Sequence, residues 1–248
     1  MHLQLRITTK SIALIAIFAA LYAVLGTVPM FYIFGTYGQF ITAALVVAPI
    51  IGIVLGPAGG VLAVTIGGLA GMAVTGNTPM GIFSFLPGAL DALCTGLAFR
   101  GKWYLSAAIF APFILAFVSL PSIGDAKYFV WFIVVGFFLL LSPATTLAAR
   151  FVRTFNVEKL DLLPFKTVNV EKLVLGVAIF ALIGVLVDEI VGSFIFQVVA
   201  PLPPSEWEAV AFVYPVERLL ATIMASIVGA AIIRGVRPLG IEIGEAIA

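Results

Sequence analysis

Charge is what this sequence has least of. Only 10% of its 248 residues are Asp, Glu, Lys or Arg, and most of these stand at the ends of long apolar runs. Stretches such as 11–27 and 128–149 contain almost no ionisable side chain. Cysteine is limited to Cys94, so an internal disulfide is excluded. Histidine is limited to His2, which argues against a catalytic zinc site and against any Ser/His nucleophile pairing. HExxH and GxSxG are missing. With a net charge of +1 there is no basic surplus for nucleic acid. Nothing in the composition asks for a cofactor or a metal.

What fills the chain instead is apolar sequence: 62% of residues, with a mean hydropathy of +1.23, against about 45–50% in soluble domains. An apolar run of about 18 residues or more can cross the hydrocarbon core as a helix. There every backbone N–H must find a partner within the protein, so repeated runs predict an all-α integral membrane bundle in contact with lipid. Eight spans are expected, at about 11–28, 40–55, 58–75, 81–99, 103–120, 128–150, 172–199 and 209–235. The second and third are divided by Gly56-Pro57, a strong turn signal. The first run follows Arg6 and Lys10 as a signal peptide would. It lacks a clean cleavage site and reads as a retained span.

Basic residues in the short loops set the expected orientation. With the N-terminus inside, Arg6, Lys10, Arg100, Lys102, Arg150, Arg153, Lys159, Lys166, Lys172, Arg234 and Arg237 are all cytoplasmic. Only Lys127 falls in an outer loop. Both termini and a loop at 150–172 are therefore expected in the cytoplasm of a multi-pass cell-membrane protein. Trp103, Trp131 and Trp207 stand near span ends, where interfacial tryptophans belong.

The stretch from Gly96 to Trp103 nearly spells a phosphate-binding loop. The position that should be Ser or Thr is Trp103, and the motif ends an apolar helix rather than following a strand. The chain therefore carries no ATP site of its own, and no enzymatic activity is expected. Three other features stand out. Ala16 with Ala20, and Ala19 with Ala23, make a small-residue stripe on the first span. That stripe either packs within the bundle or receives a partner helix. The outer loop 28–40 is uncharged and rich in aromatics, including Phe34 and Tyr37 beside Gly35 and Gly38. It either stacks on a flat organic ligand or anchors at the interface. Asn77 supplies polar groups in a second outer loop.

The charges left inside the apolar runs are the sharpest signal. Asp188 and Glu189 lie in the seventh run, Glu217 and Arg218 in the eighth. Such a charge costs about 2.5–3.5 kcal/mol at the bilayer centre on insertion scales and faces the bundle interior or a water-filled cavity. Either Arg218 pairs structurally with Asp188 or Glu189, or the group borders a ligand site. Three acids against one Arg favour a cationic or hydrogen-bond-donating ligand. Of the two adjacent acids, Glu189 is expected to face the cavity. Asp91, in the fourth run, either lines the cavity floor or holds helices together.

Taken in order, these features resemble the substrate-binding S component of energy-coupling factor (ECF) vitamin transporters. The resemblance rests on the stripe Ala16, Ala20, Ala23 and on Leu55-Gly56-Pro57-Ala58-Gly59-Gly60 followed by Gly67, Gly68 and Gly71. It continues through Phe85-Leu86-Pro87-Gly88 to Gly96 and Arg100. It ends with Tyr214-Pro215-Val216-Glu217-Arg218-Leu219-Leu220. It covers roughly 11–102 and 172–238, a six-helix core. The segment 103–150 is extra to that pattern and reads as an inserted helix pair. The resemblance implies capture of a vitamin or precursor from outside. The ligand then passes to a scaffold subunit with two ATPases. It implies docking through Ala16, Ala20 and Ala23. It implies a ligand site among Phe34, Tyr37, Asn77, Asp188, Glu189, Glu217 and Arg218. A stand-alone proton-coupled carrier and a non-transporting membrane scaffold are the competing readings.

Overall fold

The computed structural model describes residues 9–36, 38–155 and 168–244. Helices dominate them: α1 (Thr9–Leu25), α2 (Ala44–Thr75), α3 (Leu86–Phe99), α4 (Trp103–Val118) and α5 (Trp131–Leu141). Then follow α6 (Pro143–Thr154), α7 (Val168–Val199), α8 (Pro204–Val210) and α9 (Tyr214–Val236). Between α1 and α2, β1 (Pro29–Tyr32) and β2 (Phe40–Thr42) form an antiparallel pair. A 3-10 turn, Gly81–Phe85, leads into α3.

Among the described residues, four helical stretches are long and apolar enough to cross a membrane: Ala44–Thr75, Gly81–Phe99, Val170–Val199 and Tyr214–Leu239. The bent pair Ala126–Leu141 and Pro143–Thr154 would make a fifth. The protein is thus a helical, membrane-type bundle with four or five candidate spans among the described residues, against the eight that its apolar runs predict. Helices occur at all eight expected places, but several are short or broken. α1 and α4 have 17 and 16 residues, about 25 Å at 1.5 Å per residue against roughly 30 Å of hydrocarbon. The run 128–150 is bent by 66° at Ser142. There Ser142 is extended, its Oγ accepts from the Ala144 N–H at 3.3 Å, and Pro143 starts a new helix. Both residues are good helix starters and poor continuers.

α2 reverses within itself. Gly56 has φ 75° and ψ 177°, a conformation glycine alone tolerates well. A Cβ on Gly60 would lie 3.1 Å from the Cα of Gly52, whereas residues eight apart on a straight helix are about 12 Å apart. The arms 44–55 and 57–75 therefore run back to back. Every residue from Ala44 to Gly56 is buried, as suits a helix that is apolar all round. This first arm, about 18 Å long, is a post inside the bundle. α3 crosses it where Gly96 meets Pro57 and Gly52 meets the Ala92 carbonyl. α1 lies against the second arm, with Ala19 and Tyr22 over Gly67. α7 is the central helix, touching α2, α3, α9 and the group α4–α6.

The two ends of the bundle differ. At one end the cations bond to chain carbonyls. Lys10 donates to Leu239 and Gly240, and Arg153 to Phe99 at 2.8 Å. Arg237 donates to Val152, Arg153 and Phe155. Arg100 Nε donates to the Gly244 carbonyl, and the Gly244 N–H donates to the Val54 carbonyl at 3.0 Å. Helix C-termini leave such carbonyls unpaired, and basic groups satisfy them. The β-hairpin and the start of α9 lie at the other end. Lys159, Lys166 and most of the 150–172 loop lie outside the described residues. Trp103 and Trp131 are partly exposed, whereas Trp207 is buried. It is 4% exposed and donates its indole N–H to Gln197 Oε1 at 2.9 Å.

Candidate functional site

The hairpin end holds a half-open cavity of about 200 Å³. Its walls come from α1, the β-hairpin, both arms of α2, the entry to α3, the middle of α7, α8 and the start of α9. Phe34, Asn77, Asp188, Glu189, Glu217 and Arg218 all line it. Tyr37 lies outside the described residues.

Glu189 and Arg218 face each other across α7 and α9 and are almost fully buried. Arg218 Nε donates to Glu189 Oε2 at 2.6 Å, and its Nη2 donates to the same oxygen. Ser193 Oγ donates to Oε1 at 3.2 Å. Both carboxylate oxygens of Glu189 are thus engaged. Arg218 Nη1 is buried without a hydrogen-bond partner among the described residues. Removing one member of such a pair strands the other charge, at about 3–5 kcal/mol.

Asp188 is one position along, about 100° around the helix. It is half-buried and has no hydrogen-bond partner among the described residues. The sequence reading turns Glu189 rather than Asp188 toward the cavity. Both line it, but Asp188 is the one left without a hydrogen-bond partner among the described residues. Glu217 is half-buried on the same wall. Asp91 is fully buried between α3 and α7. Thr95 Oγ1 donates to its Oδ1 at 3.0 Å, while Oδ2 has no hydrogen-bond partner among the described residues. It packs against Gly184 and does not line the cavity.

Asn77 spends its amide on the backbone. It accepts from the Phe40 N–H and donates to the Phe40 carbonyl, fastening β2 to the end of α2. Just before it, Gly76 closes α2 in the left-handed region at φ 66°. Sequence reasoning missed much of the aromatic wall: Tyr22, Phe40, Phe85, Phe196, Trp207 and Tyr214 also line the cavity. It also missed Gln197, which is buried and bonded to Ser122, Leu202 and Trp207. A lone Gln in an apolar run is the signal that could have found it.

Ala16 and Ala20 are exposed and Ala23 half-buried. The inward face of α1 is instead Phe18, Ala19 and Tyr22. Among the described residues no group of three or more His, Cys, Asp or Glu could hold a metal.

The chain is similar to an uncharacterized protein of Methanocaldococcus jannaschii. The two are 27% identical over 146 residues, 59% of this chain and 44% of that protein. The chain thus spans less than half of that relative's length. No family model and no solved structure matches it.

Proposed function

We propose that this chain is the substrate-capture subunit, the S component, of an ECF-type importer. It takes up a vitamin or vitamin precursor and passes it to one transmembrane scaffold subunit and two ATPases. The supporting observation is the cavity. Four stretches far apart in sequence, at 34, 77, 188–189 and 217–218, share one chamber closed by the β-hairpin. That chamber lies opposite the end where the basic residues gather. By the positive-inside rule its end faces outward, with both termini in the cytoplasm. A subunit of this kind binds and hands over, so it is not an enzyme. In this reading 11–102 and 172–238 are the six-helix core. The segment 103–150 is an inserted pair, in keeping with α4–α6 packing as a group on α3 and α7. Ala16, Ala20 and Ala23 are the docking stripe.

The test has two steps. Mass spectrometry of small molecules retained through mild detergent purification identifies the ligand. Liposomes carrying the chain with the scaffold and ATPases should then accumulate that ligand only with ATP. Uptake by the chain alone, driven by a proton gradient, would replace this reading with the stand-alone carrier. Asp91 favours that second reading, as a buried carboxyl with an unpartnered oxygen. A chain that retains no small molecule would point to a non-transporting scaffold.

A further inference from the structure

We propose that the ligand is a small organic cation carrying a flat ring, with Asp188 as its counter-charge. The inference rests on the capture reading above and narrows its substrate class.

Charge balance carries the argument. The charged residues on the cavity wall are Asp188, Glu189, Glu217 and Arg218. Arg218 is committed to Glu189 through two N–H groups, and Ser193 completes that carboxylate. That guanidinium is the one positive charge the wall sets against three carboxylates. Nη1 of Arg218, without a hydrogen-bond partner among the described residues, is a further donor but adds no further charge. Asp188 remains without a hydrogen-bond partner among the described residues, and no second Lys or Arg lines the cavity. Glu217 adds another acid. A carboxylate brought out of water needs a donor or an opposite charge. With all four ionised, three carboxylates stand against one guanidinium, an excess of two negative charges that a cationic ligand would offset.

The wall chemistry agrees. Tyr22, Phe34, Phe40, Phe85, Trp207 and Tyr214 surround the same space. Aromatic faces carry negative charge density that attracts cations, and they stack on flat rings. An anion would meet Asp188 and Glu217 with the guanidinium charge already balanced. A bare metal ion needs several converging ligands, and among the described residues no group of three His, Cys, Asp or Glu could hold one. An organic cation satisfies both the acid and the rings.

The experiment uses the full chain in detergent and three probes of similar size: benzyltrimethylammonium, benzyl alcohol and benzoate. Tryptophan fluorescence reads binding, because Trp207 lines the cavity. Trp207→Phe should remove the signal. The cation should bind at least about tenfold more tightly than the alcohol, with benzoate weakest. Asp188→Asn should erase that preference, and Asp188→Glu, which keeps the charge, should retain it. The wild-type comparison stands even if Asp188→Asn does not fold. Equal affinity for all three probes, or a preference for benzoate, would overturn the cation inference and leave the capture reading in place. Binding of none of them, by protein that melts cooperatively, would also overturn the cation inference, while the capture reading stands or falls on the retained ligand and its ATP-driven uptake.

Discussion

The side-chain amide of Asn77 pairs with the backbone of Phe40 as a neighbouring strand would. Its Oδ1 accepts from the Phe40 N–H at 3.2 Å and its Nδ2 donates to the Phe40 carbonyl at 2.8 Å. One side chain thereby holds the hairpin that closes the cavity. Leu202 reinforces the closure by packing against Gly35. The pairing makes Asn77 a fastening for the cavity wall, whatever else the rest of its amide touches.

Asn77→Asp keeps the acceptor and loses the donor. It should cost about 1–3 kcal/mol, because the Phe40 carbonyl is left facing a repelling oxygen. Hydrogen exchange of the segment 28–42 should speed up, while the helices α3 and α7 stay protected. Unchanged exchange in the hairpin would mean that the strand pair holds itself.

The buried pair invites a double-mutant cycle. Glu189→Gln and Arg218→Met should each destabilise by about 3–5 kcal/mol, since each strands a buried partner. The double variant should cost clearly less than the sum. Additive costs in thermal melts would show that the two side chains are stabilised independently. Asp188→Asn, at a side chain without a hydrogen-bond partner among the described residues, should move the melting temperature far less than either single change.

Close helix approach predicts a steep difference between glycines. A Cβ on Gly96 would lie 2.7 Å from the Pro57 nitrogen, so α3 and the reversal of α2 must part to admit it. Gly96→Ala should cost about 1–3 kcal/mol or more. A Cβ on Gly235 would meet nothing within 4 Å, and this glycine sits inside α9. Gly235→Ala should be neutral or stabilising by up to about 1 kcal/mol. Similar melting temperatures for the two variants would contradict this packing.

Several of these features can be read from the sequence and others cannot. Gly56-Pro57 announces a reversal, because a residue at φ 75° followed by proline cannot continue a helix. The apolar runs announce where helices form, since hydropathy depends on composition alone. Ser142-Pro143 carries a capping signal too, but it sits within an apolar run that masks the 66° break. That Arg218 takes Glu189 rather than Asp188 depends on the rotation of α7 against α9, and adjacent residues differ by about 100°. The Asn77–Phe40 bond joins residues 37 apart. No local pattern encodes such a partnership.

The exposed face of α1 supplies the last prediction. Ala16 and Ala20 are exposed, whereas Ala19 is buried against Gly67. Packing within the chain therefore predicts opposite outcomes along one helix. Ala19→Trp has no room and should destabilise by about 3 kcal/mol. Ala16→Trp and Ala20→Trp should stay within about 0.5 kcal/mol of the parent, as surface changes do. If the stripe receives the scaffold subunit, those same two variants should keep full affinity for the cavity ligand. ATP-driven uptake in the reconstituted complex should nevertheless fall, because a bulky ring blocks the close approach that small residues permit. Normal uptake by both variants would show that Ala16 and Ala20 face lipid alone.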